Sequence, residues 1–232
     1  MKAVVLLSGG VDSATCLALA IDFHGAENVV ALSISYGQKH IKEKECAKAL
    51  AKHYGIQLYE VDLSSTMQFS NCSLLKHSTE EIAKGSYAEQ QEKCKGTVST
   101  YVPFRNGLML SSAATLALSL FPNDEVQLYY GAHKDDSAGE AYPDCSEDFI
   151  SFMDDALVFG SGGKVFLHTP FYQTNKAGVI RMGIELKVPY ELTWSCYEGK
   201  EKACGKCGTC IDRLNAFKEN GKEDPIEYVD SN

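Results

Sequence analysis

Short apolar runs alternate with longer amphipathic stretches along most of the chain. The first run, residues 4–7, has the unbroken apolar character of a strand buried on both faces, and apolar side chains then recur at helical spacing at Val11, Ala14, Ala18 and Ile21. Similar patterns predict strands at about residues 28–35, 57–61, 126–130 and 165–167, and helices at about residues 41–54 (ending at Gly55), 107–120, 147–159 and after a Thr174 N-cap. This alternation predicts an α/β fold with a doubly wound parallel sheet.

Composition and charge indicate which classes of substrate and partner the protein can bind. The chain has 232 residues with 44% hydrophobic content, enough for one α/β core and a small appendage. Its formal net charge of −9 gives no basic footprint for a polyanion. We therefore expect a small-molecule substrate and no direct nucleic-acid partner.

The number and spacing of the cysteines and the N-terminal sequence indicate the cellular compartment. The chain carries nine cysteines, an odd number, and its N-terminal apolar run is broken at once by Ser8, Gly9 and Gly10, unlike a secretory segment. Nothing in the sequence reaches transmembrane length, so no membrane partner is expected. These features predict a cytoplasmic protein, where clustered cysteines bind metal more often than they form disulfides.

The turn between the first predicted strand and helix reads Ser8-Gly9-Gly10-Val11-Asp12-Ser13. Such a turn directs backbone N–H groups and the positive end of the helix dipole into one concavity, which favours phosphate. It lacks the Gly-Lys-Ser/Thr ending of kinase-like NTPases and the third glycine of a dinucleotide fingerprint. The loop is therefore better suited to pyrophosphate, with chemistry at the α-phosphate. An ordinary glycine-rich turn is the alternative for a lone pair of glycines.

Ser-Gly-Gly-x-Asp-Ser resembles the loop of the ATP-pyrophosphatase superfamily, whose members adenylate a carboxylate or carbonyl oxygen and release AMP. The resemblance implies an adenine nucleotide alpha hydrolase-like sheet in residues 1–190. It also implies an ATP-binding segment formed by Leu7, Ser8, Gly9, Gly10, Val11, Asp12, Ser13, Ala14, Thr15, Cys16 and Leu17.

Four cysteines lie within fifteen positions near the end of the chain, at Cys196, Cys204, Cys207 and Cys210. Cys-x-x-Cys pairs on glycine-containing turns place two sulfurs on one edge of a tetrahedron, and four thiolates leave no position open for a catalytic water. The spacing predicts a structural zinc site in a small C-terminal segment, residues 191–232. An iron–sulfur cluster or a redox disulfide is the alternative.

Polar residues follow the predicted strands, where open α/β sheets collect their functional groups. Residues 36–40 follow the second strand, residues 131–136 follow the fourth, and residues 142–145 precede a helix. Arg105 and Asn106 stand just before another helix, where they could bind a carboxylate or phosphate, or simply cap the helix and pair with a surface acid. Residues 62–100 show no clear period and are read as a lid, a substrate loop or a disordered insertion. Cys72 and Cys94 in that stretch lack ligand spacing.

Several segments resemble, in order and over nearly the whole chain, the 7-cyano-7-deazaguanine synthase family of queuosine biosynthesis. They are Tyr36-Gly37-Gln38, Val102-Pro103-x-Arg105-Asn106, Tyr142-Pro143-Asp144-Cys145 and Thr193-x-Ser195-Cys196-Tyr197. Val11 stands where many relatives carry glutamine, a departure that leaves the backbone of the loop intact.

This resemblance implies ATP-dependent conversion of 7-carboxy-7-deazaguanine and ammonia to the nitrile, with Mg²⁺, in a homodimer. Free ammonia is expected because no glutaminase domain is present. Motif context makes Asp12, Ser13 and Lys176 the catalytic candidates and Arg105, Asn106 and Asp144 the substrate-binding candidates. A tRNA-thiolating ATP-pyrophosphatase and a nucleic-acid-binding zinc module are the rival functions, and the acidic charge disfavours both.

Overall fold

Five parallel strands form a central sheet in the computed structural model, which describes residues 1–39, 42–82, 99–135, 142–198 and 200–229. The strands are β1 Lys2–Leu6, β2 Val29–Ser35, β3 Gln57–Asp62, β4 Val126–Tyr129 and β5 Val165–His168. The helices are α1 Val11–His24, α2 Lys42–Tyr54, α3 Ser64–Met67, α4 Arg105–Leu120, α5 Glu147–Gly160, α6 Lys176–Glu185 and α7 Gly208–Glu219. Single 3₁₀ turns lie at Ala26–Asn28, Pro143–Cys145 and Tyr190–Leu192.

The strand order, β3-β2-β1-β4-β5, confirms the predicted doubly wound parallel sheet. β1 lies in the middle, where Ala3 pairs with Val29 on one side and with Gln127 on the other. The chain therefore winds outward in one direction from β1 to β3 and in the other from β4 to β5. A crevice opens at the carboxyl ends of the strands where the winding reverses, so the turns after β1 and β4 flank it.

Helices pack against both faces of the sheet, and the side chains between them are apolar and buried. One face is covered by α1, α2, α6 and α7, whose buried contributions include Leu17, Leu50, Ile180 and Phe217. The other face is covered by α4 and α5, with Ala113, Ala117 and Leu157 packed against Val4 and Leu128. Burying a side chain such as Leu17 contributes about 1.5–3 kcal/mol. Two such layers explain why the predicted strands lack polar alternation.

Several predicted boundaries differ from the structure. The helix expected from residue 107 begins at Arg105, so Arg105 and Asn106 lie in its first turn; Phe104 precedes it with a left-handed φ of 52°. The predicted Thr174 N-cap is wrong. Asn175 occupies that position, where its side-chain oxygen accepts the Gly178 N–H at 2.9 Å. Gly55, with a φ of 65°, follows the end of α2 as predicted.

Part of the stretch without a clear period packs beside the sheet. Met67, Cys72, Leu74 and Leu75 form a small buried cluster with Val102. Leu74 accepts the Lys39 N–H at 2.8 Å, which ties this stretch to the segment after β2. The predictions that concern His40, residues 83–98 with Cys94, and Asp136 lie outside the described residues.

The C-terminal segment packs directly on the α/β core. Arg213 of α7 is fully buried and pairs with Asp224 through Nε–Oδ2 at 2.6 Å and Nη2–Oδ1 at 2.8 Å. Its other nitrogen donates to Thr193 Oγ1 at 2.8 Å. Ala216 and Phe217 belong to the same buried cluster as α1 and α6.

In the part of the chain that the structure describes, every helix is too short or too polar to cross a bilayer.

Candidate functional site

The loop after β1 is held in place by its neighbours. Gly9 has a φ of 94°, and a Cβ there would overlap the Glu43 carbonyl oxygen of α2. On the other side, the Gly9 carbonyl accepts the Trp194 N–H at 2.9 Å. The loop is therefore fixed between α2 and the C-terminal segment, and glycine is required at position 9.

Backbone donors of this loop converge on one point. The N–H groups of Ser8 and Gly9 both point to Ser13 Oγ, at 3.2 and 3.3 Å, and the Gly10 N–H donates to Ser8 Oγ at 3.2 Å. Gly10 is also the N-cap of α1, so the positive end of that helix faces the same point. Convergent N–H groups at a helix N-terminus are suited to an anion, which is the ligand that the sequence pattern predicts for this loop.

Asp12, in the first turn of α1, lies in a group of charged side chains. Lys176 Nζ donates to Asp12 Oδ2 at 2.5 Å and lies 3.2 Å from His133 Nε2. Asp135 Oδ2 accepts the backbone N–H of Lys176 at 2.9 Å, which fixes the start of α6. Burial raises the pKa of Asp12, but Lys176 and then His133 outweigh it, so the pKa lies below its ordinary value of 3.8. Asp12 is therefore an anion beside a cation at neutral pH.

The start of α4 forms the opposite wall of the site. Asn106 donates its backbone N–H to Asp144 Oδ2 at 2.9 Å and its side-chain amide to the Asp144 carbonyl at 3.3 Å. Arg105 Nε donates to Asn106 Oδ1 at 3.3 Å, and its guanidinium carbon lies 5.2 Å from the centre of the Tyr36 ring. Burial raises the pKa of Asp144 against the effects of the Asn106 N–H and Arg105. Asp144 thus orients Asn106, while Arg105 remains directed at the cavity.

These walls enclose a cavity of about 280 Å³ at the carboxyl ends of β1, β2 and β4. Of the predicted site residues, those that line it are Leu7, Ser8, Gly10, Asp12, Ser13, Arg105, Asn106 and Lys176. The others stand apart: Gly9 faces α2, Asp144 lies behind Asn106, and the side chains of Val11, Ala14, Thr15, Cys16 and Leu17 belong to the core. Burial raises the pKa of the Cys16 thiol, as expected for a core cysteine.

Among the cavity-lining residues that were not chosen as site candidates are His133, which lies in the segment 131–136 noted after the fourth predicted strand, and Glu43. His133 follows β4 and is 6% exposed, and Glu43 lies in the first turn of α2. The position of His133 at the carboxyl end of a strand is a usable signal. The sequence around Glu43 contains no such signal, because the position of Glu43 at the cavity depends on how α2 packs against Gly9.

The four C-terminal cysteines come together as predicted. The sulfurs of Cys196, Cys204, Cys207 and Cys210 all lie within 4.8 Å of one another, and all four residues are buried. A tetrahedral zinc with bonds of about 2.3 Å places its sulfurs roughly 3.8 Å apart, so the group fits one metal ion. Backbone N–H groups of Cys204 and Cys207 donate to Cys196 Sγ and Cys204 Sγ, each at 3.3 Å. Such donors stabilise thiolate ligands.

A short connection joins the cysteine group to the phosphate loop. Trp194, whose N–H binds the Gly9 carbonyl, also donates its indole N–H to the Cys196 carbonyl at 2.9 Å. Thr209 Oγ1 donates to the Ser195 carbonyl at 2.8 Å, and Lys42 Nζ lies 3.5 Å from the centre of the Trp194 ring. These contacts hold the segment from Trp194 to Cys196 in one conformation between the phosphate loop and the cysteine group.

Comparison with known proteins identifies the family of the chain. Residues 2–221 match the family described as queuosine biosynthesis protein QueC. The chain is 42% identical over 230 residues to the 7-cyano-7-deazaguanine synthase of Psychromonas ingrahamii, with 99% of each chain covered. It is 43% identical over 233 residues to the enzyme of that name from Thermoplasma acidophilum, covering 98% of this chain and 92% of that one.

A solved structure with a related fold is the U34-tRNA thiolase NcsA of Methanococcus maripaludis with its [4Fe-4S] cluster. The TM-score is 0.52 at 16% sequence identity, over 95% of this chain and 67% of that one. At this identity the likeness concerns the fold alone.

Proposed function

Because the chain belongs to the family of the queuosine biosynthesis protein QueC, we propose that it is an ATP-dependent 7-cyano-7-deazaguanine synthase. The observation that carries this is 42% identity over 99% of both chains to a relative of that name. The substrates are 7-carboxy-7-deazaguanine, ammonia and ATP. The cavity supports the proposal, since one space is shared by an anion-binding loop and an arginine that suits a carboxylate.

The first half of the reaction makes an amide. A carboxylate is a poor electrophile, so its oxygen first attacks the α-phosphate of ATP and pyrophosphate leaves. Ammonia then attacks the acyl carbon, a C–N bond forms, and the bond to the AMP oxygen breaks. The amide remains bound beside the same nucleotide site.

The second half makes the nitrile. The amide oxygen attacks the α-phosphate of a second ATP, and pyrophosphate leaves again. Loss of AMP and of the remaining nitrogen-bound protons converts the carbon–nitrogen bond to a triple bond. One nucleotide site would serve both activations. The loop lacks a lysine for the γ-phosphate, which suits chemistry at the α-phosphate in each of them.

The lining residues divide into two groups by their contacts. The loop formed by Ser8, Gly9, Gly10 and Ser13 would bind the leaving pyrophosphate through its N–H groups. Lys176 would neutralise phosphate charge, and Asp12 would help to bind Mg²⁺, which prefers carboxylate oxygens. Arg105 and Asn106 would contact the deazapurine acid, and Asp144 would act through Asn106.

We propose zinc as the metal of the four-cysteine group. Sulfurs within 4.8 Å suit a single ion, whereas an iron–sulfur cluster holds its thiolates farther apart. The metal would be structural, because four thiolates complete its coordination. The division at residue 190 between the nucleotide-binding domain and the zinc-binding segment belongs to the same proposal.

The family also suggests a homodimer. A cytoplasmic location is supported by free thiols at the eight described cysteines, four of them grouped as ligands. The net charge of −9 supports small-molecule substrates without direct nucleic-acid binding.

Mass spectrometry of a single reaction tests the proposal. Purified protein is incubated with 7-carboxy-7-deazaguanine, ammonium, Mg²⁺ and ATP, and the acid, amide, nitrile and nucleotides are quantified. We expect the nitrile, with two AMP for each nitrile formed, and no turnover when ammonium is left out.

Two results would contradict parts of the proposal. Formation of the nitrile with ADP as the only nucleotide product would support the assigned substrate but contradict the adenylation mechanism. ATP-dependent modification of tRNA without turnover of the acid would favour a thiolase instead.

A further inference from the structure

We propose that Glu43 is the residue that binds the ammonium ion and takes its proton, so that ammonia is released beside the acyl adenylate. This inference rests on the proposed function, and it adds a residue to that reaction. The reaction requires unprotonated ammonia. At neutral pH almost all of the nitrogen donor is ammonium, which has no lone pair for attack on carbon.

Glu43 lies where such a residue is needed. Its side chain lines the cavity, and its backbone carbonyl packs directly against Gly9 of the phosphate loop. The Arg105 guanidinium, proposed to hold the substrate carboxylate, acts electrostatically on the Glu43 carboxyl. Glu43 therefore shares the cavity with the phosphate loop and with Arg105, the two groups proposed to hold the reactants.

The carboxylate is also available. Asp12, in the same cavity, is paired with Lys176. By contrast, the Glu43 carboxylate makes no hydrogen bond or ion pair with any residue that the structure describes.

The electrostatic surroundings suit a proton acceptor. Burial raises the pKa of Glu43 to about 7, against the opposing effect of Arg105. The titratable groups that interact with it electrostatically are Arg105 on α4, Tyr36 after β2 and Cys46 on α2. Other charged or titratable residues that line the same cavity include Asp12, Lys44, His133, Lys176, Tyr197 and Asp212. A base with a pKa near the working pH is ionised in a large fraction of molecules and still accepts a proton effectively.

The proposed step balances as follows. One ammonium proton passes to the Glu43 carboxylate, and the freed lone pair attacks the acyl carbon. The bond from that carbon to the AMP oxygen breaks, and AMP leaves with the electron pair. The second proton lost from nitrogen passes to water, after which Glu43 releases its own proton.

The test separates adenylation from the use of ammonium. Acid-dependent exchange of labelled pyrophosphate into ATP, without ammonium, reports adenylation alone. We compare Glu43→Gln with Glu45→Gln, a neighbouring exposed glutamate of α2. We expect exchange within about threefold of wild type in both variants, whereas kcat/KM for ammonium falls roughly 100-fold or more only in Glu43→Gln.

Two further measurements sharpen the test. Hydroxylamine, unprotonated at neutral pH, should react with the adenylate of Glu43→Gln at a rate near that of wild type. In wild type, kcat/KM for total ammonium should rise to about pH 7 and then level off. In Glu43→Gln it should keep rising about tenfold per pH unit, because only free ammonia reacts.

Each contrary outcome has its own meaning. If Glu43→Gln loses exchange and ammonium use together, Glu43 positions Arg105 or ATP, and the inference is wrong. An unchanged kcat/KM for ammonium also overturns it. Absence of acid-dependent exchange in wild type would overturn the proposed function and this inference with it.

Discussion

The protonation state of single side chains decides what the cavity can bind. Asp12 stays ionised because Lys176 and His133 compensate for its burial, whereas Glu43 has no direct partner among the described residues and its pKa rises to about 7. Two carboxylates in one cavity therefore differ in charge near neutral pH. Such separation commonly gives two carboxyl groups of one site different roles in acid–base chemistry.

Replacing Asp12 tests its assignment to the catalytic group. We expect Asp12→Asn to fold and to lose about 2–4 kcal/mol of transition-state stabilisation, because a preorganised charge would be missing. Turnover and circular dichroism of Asp12→Asn and of Asp22→Asn, an exposed position on the same helix, provide the measurement. Near-wild-type turnover in Asp12→Asn would remove Asp12 from the catalytic group.

The lowered pKa of Asp12 also predicts a pH dependence with a defined sign. A depressed carboxyl pKa adds stability above the unfolded value of 3.8, and this stability is lost as the pH falls through the folded value. Below about pH 4, the free energy of unfolding of Asp12→Asn should therefore fall less steeply with decreasing pH than that of the wild type. Acid unfolding of both proteins is the measurement.

Sequence reasoning identified residues by type and motif, and it succeeded where the local chain determines the position. Asp12, Ser13, Arg105 and Asn106 reach the cavity because they follow a strand or begin a helix. Glu43 was missed because its place depends on packing between α2 and Gly9, which are far apart in sequence.

Helix α6 brings the catalytic candidate Lys176 into the site at its first position. The orientation of that helix depends on the Asn175 cap and on Asp135, which accepts the Lys176 N–H. A capping side chain must reach an N–H group within the first turn, and the Asn175 amide does so at Gly178. The sequence suggested Thr174 because both residues are good caps and propensity alone does not choose between neighbours.

The two neighbouring positions allow a direct comparison. We expect Asn175→Ala to lower the free energy of unfolding by about 1 kcal/mol, and Thr174→Ala to lower it less. Urea unfolding of both variants is the measurement. A larger loss in Thr174→Ala would mean that Thr174 is the effective cap.

The C-terminal segment packs against the α/β core behind the cavity and supports it. Arg213 and Asp224 form a buried pair, and Asp224 also accepts the Tyr228 hydroxyl at 2.6 Å. Breaking one side of such a pair typically costs about 3–5 kcal/mol. Nothing in the sequence pattern distinguished Arg213 from a surface arginine, since its burial arises only when α7 packs against the segment around Thr193.

The four-cysteine group is the second feature that stabilises this segment. We expect one zinc per chain, and Cys207→Ser should reduce zinc content and destabilise the segment. Zinc binding in small peptides contributes about 10–16 kcal/mol, comparable to the total stability of many domains. Because Trp194 joins Cys196 to Gly9, the loss should also weaken ATP binding.

Metal analysis, thermal unfolding and ATP titration of the same samples measure the three effects. Cys72→Ser is the control, since its thiol lies outside the cysteine group and donates to the Ser99 carbonyl, a bond that a hydroxyl can replace. Iron with visible absorption in the wild type would exclude zinc. Normal ATP affinity in a zinc-depleted Cys207→Ser protein would contradict the expected coupling between the two sites. It would mean that the contacts of Gly9 with α2 are sufficient to keep the phosphate loop in shape without the metal.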